Sequence, residues 1–217
     1  MFKIHILTPF YRVHLAQTLI HYYEPMGIEW YPIVAPKEDI PFDRDWIHPI
    51  KVAELLPKNN CSRKFNDFLD TQEVIDDDYY GFMCDDNMYE PGFFDVIRQQ
   101  TAKILIVSAY RGDSIPRDGS APHGTDILKI TSLKGIKISR IDFCQYIIKG
   151  EIFKQNRFDT FNKVSDGVYA VNLRLKYPND IIFLPDSYVF FNYLQQGRYT
   201  TTSTFVKSTW SLPEIIK

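Results

Sequence analysis

Residues 80–94 read Tyr-Gly-Phe-Met-Cys-Asp-Asp-Asn-Met-Tyr-Glu-Pro-Gly-Phe-Phe: an apolar run, three side chains with hard oxygens, then proline and an aromatic pair. The apolar run Tyr79–Cys84 reads as a buried strand, and Pro91 suits the first turn of the helix that follows. Working outward, Lys103–Ala109 (KILIVSA) is the clearest buried strand. Phe2–Leu7 is the first, ended by Thr8-Pro9 because proline cannot donate to a sheet ladder. Val13–Tyr23 has helical apolar spacing, Ile28–Ala35 is a second strand, and 36–49 is proline- and acid-rich loop. Ser62 caps a helix reaching Asp70. Residues 110–135 are loop-like, Phe143–Ile148 and Ser165–Tyr177 read as helices, and Ile181–Leu184 and Ser187–Phe191 as short strands. This alternation predicts an α/β fold, a single doubly wound, mostly parallel sheet flanked by helices. No linker composition interrupts the chain, so 1–217 is expected to be one domain, with 1–109 a nucleotide-binding half and 110–217 an acceptor-side half.

The composition is that of a globular protein, with 45% hydrophobic and 24% charged residues. Aromatics reach 15%, enough for a deep core or for a cleft that stacks on flat rings. Net charge is only −2, but residues 1–100 carry −8 and residues 101–217 carry +6. The acidic half could hold a metal and the basic half could face an anionic partner. Cys61, Cys84 and Cys144 form no C-x-x-C pattern, which argues against a disulfide framework or structural zinc and points to a reducing compartment. No apolar run is long enough for a signal peptide or a membrane span. The expected location is the cytoplasm, with peripheral membrane contact open.

Ligands of an open parallel sheet bind beyond the carboxyl ends of its strands. Two acidic clusters flank Tyr79–Cys84: Asp76-Asp77-Asp78 before it and Asp85-Asp86-Asn87 after it. Only the second lies at the carboxyl end, and the first is expected on the opposite, solvent-facing rim. Oxygen ligands at i and i+2 after a strand can grip Mg²⁺ or Mn²⁺ bridging a diphosphate, and such an ion neutralises charge on a leaving nucleoside diphosphate.

The 80–94 segment resembles the strand, acidic D-x-D-type motif, proline and aromatic helix start of GT-A glycosyltransferases, especially the family-2-like nucleotide-diphospho-sugar transferases. Ser62-Arg63-Lys64-Phe65-Asn66 resembles the basic, Asn-bearing helix start that precedes this motif. Thr8-Pro9-Phe10-Tyr11-Arg12 looks like the donor-base contact after the first strand. The likeness is good over 2–109 and looser beyond. It implies transfer of a sugar from a nucleotide-sugar donor, a UDP-sugar in the first instance, with Mn²⁺ or Mg²⁺ assisting. On this likeness Thr8, Pro9 and Arg12 flank the nucleobase, and Lys64 and Asn66 reach base or diphosphate. Asp85 and Asn87 hold ribose and metal, with Asp86 in the donor-binding set. Two departures stand out: Val34-Ala35-Pro36 offers no base-reading acid after the second strand, and the last motif position is Asn87 rather than Asp.

In the second half, Ser165-Asp166-Gly167 opens a helix where inverting family-2-like enzymes place their catalytic base. Asp166 is therefore the first candidate to remove the acceptor hydroxyl proton. Asp142, in Arg140-Ile-Asp142-Phe-Cys-Gln145, is the second, in a segment resembling the one where an acid and a Gln orient substrate. His123 is a candidate to complete the metal shell. His5, His14, His21 and His48 make no ligand spacing, and Asn192 and Gly197 read as a turn.

Two other classes compete. A nucleotidyltransferase shares the sheet but calls for a glycine-rich phosphate loop after the first strand, and Thr8–Arg12 has no glycine. A non-catalytic sugar-nucleotide-binding module is favoured by Asn87 and the missing second-strand acid. The acceptor is left open among carbohydrate, lipid-linked and modified-DNA hydroxyls, and the oligomeric state is not legible.

Overall fold

Parallel strands whose residues are apolar on both faces must be covered on both faces, and the first strand, β1 (Ile4–Pro9), is buried along its whole length. The computed structural model describes residues 2–12, 15–36, 44–52, 61–90, 92–111, 127–138, 140–162 and 164–191. Within them β1 is followed by α1 (Ala16–Tyr23), β2 (Glu29–Val34), β3 (Ile50–Lys51), α2 (Cys61–Thr71) and β4 (Tyr79–Phe82). Then come β5 (Met88–Tyr89), α3 (Phe93–Arg98), β6 (Ile104–Arg111), β7 (Ile127–Leu128), β8 (Tyr146–Lys149), α4 (Gly150–Gln155), α5 (Ser165–Lys176) and β9 (Ile181–Phe191). The strands form one sheet in the order β3-β2-β1-β4-β8-β6-β9-β5, with β7 on β6.

The sheet is mixed rather than mostly parallel. β1 pairs in parallel with β2 and β4, and β6 with β9, but β8 runs antiparallel between β4 and β6. This corrects the helix expected over Phe143–Ile148. Asp142 and Gln145 form a reciprocal capping box around a single turn at Phe143–Gln145, and the chain then extends into Tyr-Ile-Ile-Lys. Tyr146, Ile147 and Ile148 are fully buried, because β-branched and aromatic side chains suit a central strand covered on both sides. The strand from the second half thus lies between two strands of the first. The expected pair of strands at 181–184 and 187–191 is one strand, with a register irregularity opposite Val107 and Ser108. Val13 and Pro91 lie outside the described residues.

Aromatics build the core. Phe82 on β4 meets the rings of Phe65, Tyr146, Phe153, Phe158 and Tyr169 at centroid distances of 4.9, 5.7, 5.1, 5.2 and 6.4 Å. One side chain therefore ties α2, β8, α4 and α5 to the sheet, and the high aromatic content serves packing here. Asp76 and Asp77 are exposed at the amino end of β4, as expected, but Asp78 is not. It is 7% exposed, accepts from the Lys3 backbone N–H at 2.7 Å, and bonds His5 Nε2 at 2.8 Å. Burial lowers the His5 pKa, so the ring is neutral at pH 7 and donates to Asp78. Among the described residues no helix is long and apolar enough to cross a membrane.

Candidate functional site

Because β1 and β4 are parallel with Leu7 opposite Phe82, the residues that follow them leave the same edge of the sheet. Tyr11 and Arg12 after β1 therefore meet Asp85 after β4. β8 is antiparallel, with Ile147 opposite Gly81, so the turn that precedes it reaches the same edge and carries Asp142 there. The start of α5 closes the group. Tyr146 donates from its hydroxyl to the Asp166 carbonyl at 3.5 Å, and the Ser62 and Ser165 hydroxyls share a buried hydrogen bond. Gly167 lets α5 pack closely on the backbone of Ile138, where a Cβ would stand 2.0 Å from the carbonyl oxygen.

Asp85 is 1% exposed, and its carboxylate is enclosed by donors. The backbone N–H groups of Tyr11 and Arg12 reach Oδ2 at 2.7 and 2.6 Å, and Arg12 Nη1 donates to Oδ1. Arg12 Nη2 also lies 3.4 Å from Asp86 Oδ2. Asp86 and Asn87 are fully buried, and Asn87 closes the turn by donating its backbone N–H to the Cys84 carbonyl at 3.1 Å. A divalent ion at Asp85 would have to displace both backbone donors or the guanidinium. Among the described residues no three His, Cys, Asp or Glu side chains are grouped to hold a metal ion. The expected Asp85–Asn87 metal site does not fit this arrangement, and His123 lies outside the described residues.

The other expected donor contacts divide into two kinds. Lys64 Nζ stands 4.0 Å from the centroid of the Tyr11 ring and donates to the Ile33 carbonyl at 3.2 Å, at the carboxyl end of β2. It lies at the carboxyl edge of the sheet. Thr8 is buried and accepts from Trp30 Nε1 at 2.9 Å, and Pro9 is a buried ladder residue opposite Ile33. Asn66 is a clamp: its amide donates to the Phe158 carbonyl and accepts from the Phe158 N–H, both at 3.0 Å. That two-sided bond ties α2 to the approach to α5 and leaves no amide group directed at a ligand.

Of the two expected catalytic acids, Asp142 accepts at Oδ1 from the Cys144 N–H at 3.2 Å. Dense surroundings raise its pKa to about 7, chiefly by burial and next by the charge of Asp166, with Asp86 contributing. Burial raises the Asp166 pKa as well, against a bond from the Gly167 N–H at 2.8 Å. Asp86, Asp142 and Asp166 therefore share one electrostatic neighbourhood, with Arg12 at its edge. Gln145 is a strut: its Nε2 donates to the Val107 and Leu128 carbonyls, each at 3.2 Å, and its Oε1 accepts from the Asp142 N–H at 3.1 Å.

Sequence reasoning passed over Tyr11, Cys61 and the serine pair. Tyr11 carries both the backbone donor to Asp85 and the ring under Lys64. The Cys61 thiol hydrogen-bonds the Cys84 thiol, which together with burial holds the Cys84 pKa well above its usual value. Position in the Thr8–Arg12 turn was the only signal for Tyr11, and nothing local marks Ser62 and Ser165 as partners.

No family model matches the sequence, and no curated protein matches it. Among solved structures, the crystal structure of 4-diphosphocytidyl-2C-methyl-D-erythritol synthase is similar in fold. The TM-score is 0.51 at 10% sequence identity, covering 94% of this chain and 99% of that one. At that identity the likeness is one of fold: a mixed α/β sheet flanked by helices, extending over nearly the whole of both chains.

Proposed function

We propose that this chain is a glycosyltransferase that takes a nucleotide-sugar, a UDP-sugar first among them, and passes the sugar to an acceptor hydroxyl with inversion. The observation that carries the reading is the meeting of Asp142 and Asp166 with Arg12 at the carboxyl edge of the sheet, where an α/β fold binds its ligands. In this reading Asp166 is the general base. Its raised pKa makes it a better proton acceptor than an ordinary carboxylate. The acceptor oxygen forms a bond to the anomeric carbon as the bond to the diphosphate oxygen breaks, and the hydroxyl proton passes to Asp166. Lys64 and Arg12 supply positive charge to the donor phosphates. Asp142 orients the acceptor, and the reaction is placed in the cytoplasm, on a carbohydrate, lipid-linked or modified-DNA hydroxyl.

A second reading, nucleotidyl transfer, is favoured by the similarity in fold to a synthase whose named product carries a diphosphocytidyl group. The glycine-free Thr8–Arg12 turn weighs against it. The two differ in what leaves: a nucleoside diphosphate in glycosyl transfer, pyrophosphate in nucleotidyl transfer from a triphosphate.

The test of the site is a thermal-shift series with UDP-, GDP-, CMP- and dTDP-sugars. A ligand at 100 times its Kd stabilises by about 2.7 kcal/mol, which raises Tm by roughly 5–10 °C for a chain of this size. A shift with one nucleotide class supports the reading. No shift with any of them, nor with nucleoside triphosphates, removes it.

A further inference from the structure

Beside α5 runs the segment 133–138, fastened to the helix at both ends. Arg174 donates to the carbonyls of Leu133 at 3.4 Å and Ile136 at 3.0 Å, and Ile138 packs its backbone on Gly167. Segment and helix thus form one continuous face. Four of the five large apolar side chains that stand in water among the described residues belong to this segment, to α5 or to the stretch 161–164 that leads into it: Phe161 at 99% exposure, Leu175 at 68%, Ile138 at 44% and Val164 at 41%. Leu175 borders a shallow depression of about 320 Å³ that Leu133 and Pro178 also line.

The charges from 133 to 140 are of one sign, and the acids nearest in sequence to the apolar side chains are Asp166 at the start of α5 and Asp159, whose Oδ1 accepts from the Phe161 N–H at 3.0 Å. Lys134, Lys137 and Arg140 are exposed, and no Asp or Glu occurs between Asp126 and Asp142. Several basic side chains elsewhere sit on carboxylates, as Lys3 does on Glu29, Arg98 on Asp95, Lys103 on Glu151 and Arg157 on Asp70. Among the described residues no carboxylate pairs with Lys134, Lys137, Arg140 or Arg174. Exposed apolar side chains are costly to leave in water, and an anionic bilayer takes them up while attracting the basic side chains beside them.

We propose that this face docks on an anionic lipid bilayer, with Phe161, Ile138, Val164 and Leu175 entering the headgroup–acyl boundary and the basic side chains taking lipid phosphates. A nucleic acid would satisfy the charges and offer the Phe161 ring a base to stack on, but it would leave Ile138, Val164 and Leu175 in water. A second copy would bring two like-charged faces together. The inference stands independently of the proposed chemistry. It also places the start of α5, with Asp166, beside the membrane.

The test is co-sedimentation of the full chain with phosphatidylcholine vesicles, with and without phosphatidylglycerol. Binding is expected only with the anionic lipid and should weaken as salt is raised. Replacing Lys134, Lys137 and Arg140 together by Ala should lower the partition coefficient about 100-fold, or about fivefold per charge. Phe161→Ser with Leu175→Ser should weaken binding at low and high salt alike, with the circular dichroism spectrum unchanged. No sedimentation with anionic vesicles overturns the inference. So does unaltered vesicle binding by the Phe161/Leu175 variant, or tighter binding to duplex DNA that ignores that variant.

Discussion

Ser62, in the first turn of α2, and Ser165, the first residue of α5, share a hydrogen bond between buried hydroxyls across 103 positions of sequence. Two residues after Ser62 comes Lys64, the proposed phosphate contact, and one after Ser165 comes Asp166, the proposed base. The bond is thus a direct mechanical link between the two halves of the candidate site. Removing one hydroxyl strands the other in the core, at about 1–3 kcal/mol, whereas removing both strands neither. A double-mutant cycle of Ser62→Ala and Ser165→Ala, read by urea unfolding, should therefore show the pair costing less than the sum of the singles. Strict additivity would mean that the two hydroxyls do not interact.

Asp85 is expected to act as the anchor of the Tyr11–Arg12 turn. Asp85→Asn keeps the shape but loses the charge that three donors address, so it should destabilise by about 2–4 kcal/mol. Asp77→Asn, at an exposed position, should fall within about 0.5 kcal/mol of the parent. Mn²⁺ or Mg²⁺ without nucleotide should leave Tm unmoved. A rise of several degrees with Mn²⁺ alone, abolished by Asp85→Asn, would restore the ligand role.

Asp142 carries a pH signature. Its folded pKa, about 7, lies above the unfolded value near 3.8, so the folded state holds the extra proton between those limits and stability falls as pH rises through that window. Asp142→Asn keeps the cap on Cys144 and removes the buried charge. It should stabilise the protein by about 1–3 kcal/mol at pH 8 and change little at pH 4. Equal effects at both pH values would assign Asp142 an ordinary carboxylate pKa.

Lys64 and Asn66, two residues apart on α2, should separate cleanly. Lys64→Ala should raise the Kd of the responsive nucleotide by ten-fold or more with stability nearly unchanged, as the loss of a charge-assisted contact implies. Asn66→Ala should lower stability by about 1–3 kcal/mol through the stranded Phe158 backbone groups, and the folded fraction should keep its affinity. Calorimetric titration beside urea unfolding distinguishes them. The reverse ranking would return Asn66 to the ligand.

What could be read from the sequence was what local pattern determines. β1, β4 and β6 are apolar runs bounded by turn residues, α5 has helical spacing from Ser165, and the acidic triplet follows its strand. β8 could not be read, because Phe143–Ile148 is a short apolar run whose period suits helix or strand. Its fate is set by β4 and β6 on either side and by the Asp142–Gln145 box before it. Asn66 and Asp78 were misjudged for a related reason. Their partners, Phe158 and His5, lie 92 and 73 residues away, so the sequence alone offers Asn66 as a donor contact and Asp78 as a solvent-facing acid. The link between Arg12 and Asp85 was likewise out of reach, because it depends on the register of β1 against β4.

The most direct test of the central claim is to incubate the parent and Asp166→Asn with the nucleotide-sugar that shifts Tm and to identify the nucleotide released. A glycosyltransferase with Asp166 as base should release nucleoside diphosphate, or CMP if the responsive donor is a CMP-sugar, slowly by hydrolysis without acceptor, and the variant should lose about 10²- to 10⁴-fold in turnover with donor affinity kept. Release of pyrophosphate from the matching triphosphate, or undiminished turnover in Asp166→Asn, would contradict the account.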